Sequence, residues 1–305
     1  MNFFGKTSLD LREAILASLV YYDLFSYPLT LDEIWFWLPK EASLKDIFWE
    51  LNDLIDRGLV FYQEPFYFLG SETIIGRRCR RERTSEQKLV RAKIIARELI
   101  LLPWVDLVAI SGNLAMKSAG EGDDIDLLIL AQSGCLYRAR LASILLTELL
   151  GQRRRPGQKQ APDKVCLNIF LEANNLVLPK DRHDFYTAHE ALQLAPIIGN
   201  NNLYRRFLVD NDWLIDYLPQ AYQNRLEKLF FINSPASDNK RAKTNWLEKV
   251  AGFVQLAYSK SRQRQLTKDN DNRQLFFHPQ DQRQIVLDRF KKNWEKIIKA
   301  VNSKA

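Results

Sequence analysis

The chain has 305 residues, of which 46% are hydrophobic, and a net charge of +7; this suffices for two or three modest domains with packed cores. No apolar run approaches the roughly 18 residues needed to span a bilayer, and the opening MNFFGKTSLDLRE lacks the basic-then-apolar order of a secretory leader. The expectation is a cytoplasmic chain with no membrane partner. Cys79, Cys135 and Cys166 are widely spaced and odd in number, so they read as free thiols and not as disulfides or zinc ligands. His183, His189 and His278 leave little material for imidazole chemistry.

Charge is unevenly divided. Residues 1–70 hold five Lys or Arg against eleven Asp or Glu, a balance of −6, so the remainder carries +13. Within 9–24, Leu11, Ile15, Leu19 and Val20 recur at helical spacing. Thr30-x-x-Glu33 has the form of a capping box, and Ile34, Trp35 and Leu38 give the helix it opens an apolar face before Pro39. Ser43 opens a third helix with Leu44, Ile47, Phe48, Leu51, Leu54 and Ile55 inward and Gly58 at its end. Two short strands follow at 59–62 and 66–69, about Glu64-Pro65. Three helices and a hairpin predict a winged-helix-like module over 1–70. Asp46, Glu50, Asp53 and Asp56 face outward on the third helix and would repel phosphates. Duplex DNA is therefore the less favoured partner, and a structural or protein-contact role the favoured one. Phe66, Tyr67 and Phe68 are expected to pack on the next domain.

Residues 77–97 carry nine Lys or Arg against Glu82 and Glu86, with Leu89, Ile94 and Ile95 as an apolar face. This predicts a basic amphipathic helix whose cations face solvent or line a groove for triphosphate or RNA. The apolar run 105–110 then meets a glycine turn, Ser111-Gly112-Asn113, and a small-residue stretch leads to Asp124-Ile125-Asp126 at the head of a second apolar run. The pattern is strand, turn, short helix, strand. Alternation along a strand points Asp124 and Asp126 the same way, with Cα atoms roughly 6–7 Å apart. Two carboxylates so placed suit one or two Mg²⁺ ions held against nucleotide phosphates. Gly112 lets the backbone approach a ligand closely, and the amides that follow can receive phosphate oxygens.

Gly112, eleven intervening residues and then Asp124-Ile125-Asp126 between apolar flanks resemble the signature of the polymerase β-type nucleotidyltransferase superfamily. The resemblance covers roughly residues 85–180. It implies a small mixed sheet flanked by helices, a nucleoside triphosphate and Mg²⁺, with Asp124 and Asp126 as metal ligands and catalytic residues and with Ser111, Gly112 and Asn113 at the phosphates. An acceptor group of unread identity (small molecule, protein or RNA) would attack the α-phosphate and release pyrophosphate. Two positions depart from the pattern. Asn113 stands where the family has Ser or Gly, although its amide can still donate a hydrogen bond. The third carboxylate is expected on the later strand 164–171, where the central polar residue is Asn168. An amide can offer an oxygen to a cation but cannot accept a proton. Glu172, four residues on and about 13 Å away by strand rise, is a poor substitute. Two readings stay open: an active transferase, or a catalytically weak or silent nucleotide-binding sensor or partner-binding protein.

Beyond the Asp pair, a helix is expected over 136–150, covering the sheet with Leu141, Ile144, Leu145 and Leu149. The loop GQRRRPGQKQAPD follows, and its Arg153, Arg154, Arg155 and Lys159 lie between the two key strands, within reach of a nucleotide tail. From residue 174 the chain turns helical: Thr187-x-x-Glu190 reads as a capping box that gives His189 a structural setting, Pro196 and Gly199 end that helix, and further helices are expected at 203–217, 222–231, 246–259 and 281–301. Residues 234–243 read as a polar linker and 261–274 as a loose polar segment. The whole is expected to be α+β: a winged-helix-like module (1–70), a nucleotidyltransferase-fold domain (77–180) and a helical C-terminal region (181–305).

Overall fold

The computed structural model describes residues 9–155, 157–158, 161–230, 274–276 and 282–304. The expected linker at 234–243 and helix at 246–259 lie outside the described residues, as do Lys159 and the segment 261–273. Among the described residues no helix is long and apolar enough to cross a membrane.

The first helix, α1 (Leu11–Asp23), opens on a capping box in which the Asp10 carboxylate accepts from Glu13 N and Glu13 accepts from Asp10 N. After β1 (Leu29–Thr30), α2 (Leu31–Phe36) is capped by Thr30 and Glu33, as their spacing predicts. Ser43 caps α3 (Leu44–Asp56), and β2 (Phe61–Gln63) and β3 (Phe66–Phe68) complete an antiparallel sheet of order β1-β3-β2. The acidic face of α3 is partly neutralised from within, since Arg12 pairs with Glu50 at 2.6 Å and Asp53 at 3.0 Å, and Arg57 also reaches Asp53 at 2.7 Å.

The basic segment forms one long helix, α4 (Thr73–Leu99). It is not uniformly solvated. Its buried stripe runs Arg78, Ser85, Lys88, Ala92, Ile95, Ala96 and Leu99. Arg78 inserts into the N-terminal module, where it bonds Glu33 at 2.8 Å, Glu82 at 2.8 Å and the Pro28 carbonyl at 2.5 Å, and stacks over the Tyr27 ring at 3.9 Å. Phe66, Tyr67 and Phe68 are buried, with the Arg78 guanidinium 5.0 Å from the Phe66 ring.

Beyond α4 come β4 (Val105–Ile110), α5 (Gly112–Ala115), β5 (Ile125–Ala131), α6 (Leu136–Leu149), β6 (Val165–Glu172), α7 (Phe185–Gln193), β7 (Ala195–Gly199), α8 (Asn201–Asp210), α9 (Pro219–Phe230), β8 (Gln274–Phe276) and α10 (Gln282–Lys304). The five strands form a mixed sheet in the order β7-β4-β5-β6-β8, in which only β5 and β6 run parallel. The chain is α+β. Strand alternation splits the core: Val108, Ile110, Leu127 and Ile129 pack with α4 and α6, whereas Leu107, Ala109, Leu128 and Leu130 face the other way. That second face shares one continuous core with α1, α7, α8 and Phe290 of α10.

Three elements differ from the sequence reading. The stretch expected to end a helix at Pro196 and Gly199 is the strand β7, so two outer strands of the sheet come from the region read as helical. Pro196 fits because β7 is an edge strand, where a missing N–H costs no ladder bond. On α6 the inward residues are Leu136, Ala139, Ser143 and Thr147, while Leu149 is 86% exposed. The hydroxyls of Ser143 and Thr147 bond back to Ala139 O and Ser143 O at 2.7 Å, so small side chains are buried with their polar groups satisfied and the helix can lie close to the sheet. The cap of α7 is Asp184, which accepts from Thr187 N at 2.8 Å; Thr187 and Glu190 form no capping box.

Candidate functional site

The site lies where β4, β5 and β6 present the starts and ends of their chains to the glycine turn. Ser111 N bonds Asp126 O at 3.0 Å, which ties the end of β4 to the start of β5. Gly112 then adopts φ +62, a conformation that favours glycine, and a Cβ built on it would stand 2.7 Å from Asp126 Oδ2. No other residue fits this position without moving the carboxylate. Ser111 Oγ is buried and has no hydrogen-bond partner among the described residues, and the Asn113 amide donates to Asp123 Oδ2 at 3.2 Å.

Asp126 pairs in register with Cys166 on the parallel strand β6. A register shift follows in β6 between Leu167 and Ile169, at Asn168, the kind of irregularity that re-aims a side chain. Asn168, 6% exposed, donates from Nδ2 to Asp126 Oδ1 at 2.9 Å, and its Oδ1 accepts from the Cys166 thiol at 3.6 Å. One ligand atom each of Asp124, Asp126 and Cys166 lie within 4.8 Å of one another. Arg154 closes the group, its guanidinium 2.5 Å from Asp124 Oδ2.

The charges are strained towards an excess of negative. Burial, reinforced by Asp124, pushes the Asp126 carboxyl up to about 7, against the lowering influence of Cys166 and Arg154. Burial, with Asp126 and Asp124 beside it, also pushes the Cys166 thiol well up. One guanidinium does not offset two carboxylates in this setting. A cation would, and the cluster offers it two carboxylate oxygens, which suit a hard ion, beside one thiol sulfur, which suits a softer one.

The loop that carries Asp124 is anchored from below. Lys88, only 2% exposed, donates to Asp123 O at 2.7 Å, Glu121 O at 3.2 Å and Asp163 Oδ1 at 2.8 Å. Asp163 N in turn bonds Asp123 O at 3.3 Å, and Ile125 N bonds Lys164 O at 2.8 Å, so the two loops flanking the site are joined.

Of the residues singled out in the sequence, Asp124, Asp126, Asn168, Gly112 and Arg154 converge, with Ser111 and Asn113 on the turn beside them. Arg153 turns instead to Glu148 at 3.5 Å. Glu172 accepts from Gly134 N beyond the far end of β6 and takes no part. The sequence reading missed two residues. Lys88 was legible in principle, because the Ala92, Ile95, Ala96 and Leu99 stripe extended back by whole turns passes through it. Glu190, read as part of a cap, instead lines a cleft together with Gly112, Asn113, Met116 and the aromatic residues Tyr21, Phe25 and Tyr27. Burial pushes its carboxyl up to about 7, and it also raises Asp126. His189 on the same helix is fully buried, stacked on Tyr21 at 3.8 Å and held neutral by burial, which lowers it to about 3.

Comparison of the chain with protein-family models, with curated proteins and with solved structures gives no match.

Proposed function

We propose that the chain is a nucleotidyltransferase-fold protein with a winged-helix-like N-terminal module, and that it transfers a nucleoside monophosphate from a nucleoside triphosphate to an acceptor with release of pyrophosphate. The observation that carries this reading is the contact between the Gly112 turn and the Asp126 carboxylate, which brings a close-approach backbone and an under-compensated acidic pair to one place. Mg²⁺ would be held by Asp124 and Asp126, and it supplies charge stabilisation at phosphoryl oxygens when bound. Asn168 orients Asp126 through its amide, and Gly112 with Asn113 forms the turn that would meet the phosphate oxygens. Arg154, already on Asp124, is the cation placed to engage the triphosphate.

A second reading is favoured by one observation. Asn168, at the position where a proton-accepting carboxylate is expected, is buried with its amide committed to Asp126. A chain that binds nucleotide and turns it over weakly or not at all, signalling through its N-terminal module, accommodates that substitution. Incubation of the purified chain with each α-labelled nucleoside triphosphate, Mg²⁺ and host-cell extract separates the two. Label on an acceptor with pyrophosphate release, absent from an Asp124→Ala, Asp126→Ala control, is the expected result for a transferase. Nucleotide binding without transfer supports the sensor, and equal binding by wild type and control refutes the site assignment itself.

A further inference from the structure

We infer that the cleft between α1 and α7 is the nucleobase site of the proposed nucleotide-binding centre, and that Glu190 on its wall selects guanine. The inference rests on the reading of the Gly112 turn as the phosphate end of that centre. Gly112 and Asn113 are themselves part of the cleft lining, and α5 packs against α7, so a ligand whose phosphates meet the turn has its other end in this space. The cleft opens to solvent beside the turn, so a base entering it stays continuous with phosphates outside. Tyr21 is stacked on His189 and Tyr27 carries the Arg78 guanidinium, which leaves half-buried Phe25 as the ring of the lining on which any of the four bases can stack.

Discrimination then falls to the polar groups. Glu190 is partly exposed into the cleft and makes no hydrogen bond or ion pair among the described residues. Gln193, three residues on and therefore on the same helix face, brings an amide to the same lining. An ionised carboxylate is an acceptor only, with two oxygens side by side. Guanine alone presents two adjacent donors on its pairing edge, N1–H and N2–H, which match that fork as a bidentate pair. Its neighbouring O6 can accept from the Gln193 amide. Adenine and cytosine each set one amino group beside a ring-nitrogen acceptor that a carboxylate repels, and uracil sets its single N–H between two carbonyls. A wrong base thus leaves Glu190 facing an acceptor, the most costly form of mismatch in a partly desolvated site. Burial already holds the carboxyl high for want of donors, in keeping with a group that awaits them.

Calorimetric titration of the full chain with GTP, ATP, CTP and UTP in Mg²⁺ at pH 8.0, where the carboxyl is ionised, tests the inference. GTP is expected to bind at least tenfold more tightly than the other three. Glu190→Gln, which keeps the shape but places a donor against N1–H or N2–H, is expected to remove that advantage while leaving ATP within threefold of wild type. Phe25→Ala is expected to weaken all four. Equal affinity for the four nucleotides, or a GTP preference untouched by Glu190→Gln, overturns the guanine assignment; if that equal binding is also lost in Asp124→Ala, Asp126→Ala, the metal and phosphate reading survives and the cleft takes another ligand, such as the acceptor. Nucleotide binding unaffected by the double substitution, or no binding of any nucleotide, overturns the underlying reading as well.

Discussion

The most direct consequence of the site's charge is that the protein is destabilised by its own Asp126. The carboxyl is raised from 3.8 to about 7 by burial and by Asp124. An acid whose folded value lies above its unfolded value binds more protons when folded, so the penalty is absent below about pH 4, grows as pH rises, and is complete above about pH 7. Three units at about 1.4 kcal/mol each set an upper bound of about 4 kcal/mol. Relaxation of the Arg154 and Asn168 side chains around the charge reduces this to roughly 2 kcal/mol. Asp126→Asn removes the charge and keeps an oxygen to accept from Asn168 Nδ2. In EDTA at pH 8 the variant is therefore expected to melt higher than wild type by roughly 4 to 8 °C. The gap should shrink to less than half at pH 5. Differential scanning calorimetry at pH 5, 6, 7 and 8, with and without Mg²⁺, reads both effects; the cation is expected to raise wild type and leave the variant unmoved. A variant less stable than wild type at pH 8, or a gap that does not change with pH, would refute the argument.

Two further substitutions probe the groups around the pair. Lys88→Met removes one donor from each of three acceptors, of which Asp123 O keeps Asp163 N, and leaves the Asp163 carboxylate paired with Arg91, 3.0 Å away. The expected loss is about 3 kcal/mol, as for breaking a buried ion pair from one side, seen as a melting temperature lowered by roughly 6 to 12 °C; a neutral result would mean that the loop carrying Asp124 is held by other contacts. Asn168→Asp replaces a donor to Asp126 with a third carboxylate. It is expected to lower stability in EDTA, to bind Mg²⁺ more tightly than wild type by calorimetry, and to raise label transfer if the missing acid is what limits turnover. Weaker cation binding in this variant would argue against a shared metal site.

What could be seen in the sequence was whatever is written locally. The Thr30 and Glu33 cap, the Ser43 cap and the Gly112-to-Asp126 spacing involve residues a few positions apart or periodic along one element, and each has its counterpart in the structure. The misreadings share a cause: a local signal was present but tertiary contact decided the outcome. Thr187 and Glu190 have capping-box spacing, yet the helix already begins at Phe185, and Asp184 caps it by accepting from Thr187 N. The leucines of α6 are the more hydrophobic stripe, yet the sheet accepts the stripe with small side chains because it permits closer approach. Ala195–Gly199 holds turn-forming Pro and Gly, but an edge position beside β4 makes both tolerable in a strand.

The site itself divides along the same line. That Asp124 and Asp126 face one way follows from strand alternation and needed no structure. That they are short of positive charge does not, because it depends on how many cations reach them, and composition points the wrong way: nine Lys or Arg in 77–97 suggest a surplus. Folding uses up the best placed of these. Arg78 is held by Glu33 and Glu82, and Lys88 by two carbonyls and Asp163. Only Arg154, from the loop before β6, forms an ion pair with a member of the acidic pair among the described residues. A basic chain thus contains a locally acidic pocket, and because burial excludes the solvent that would screen it, the local imbalance governs what the pocket attracts more strongly than the net charge of +7 does.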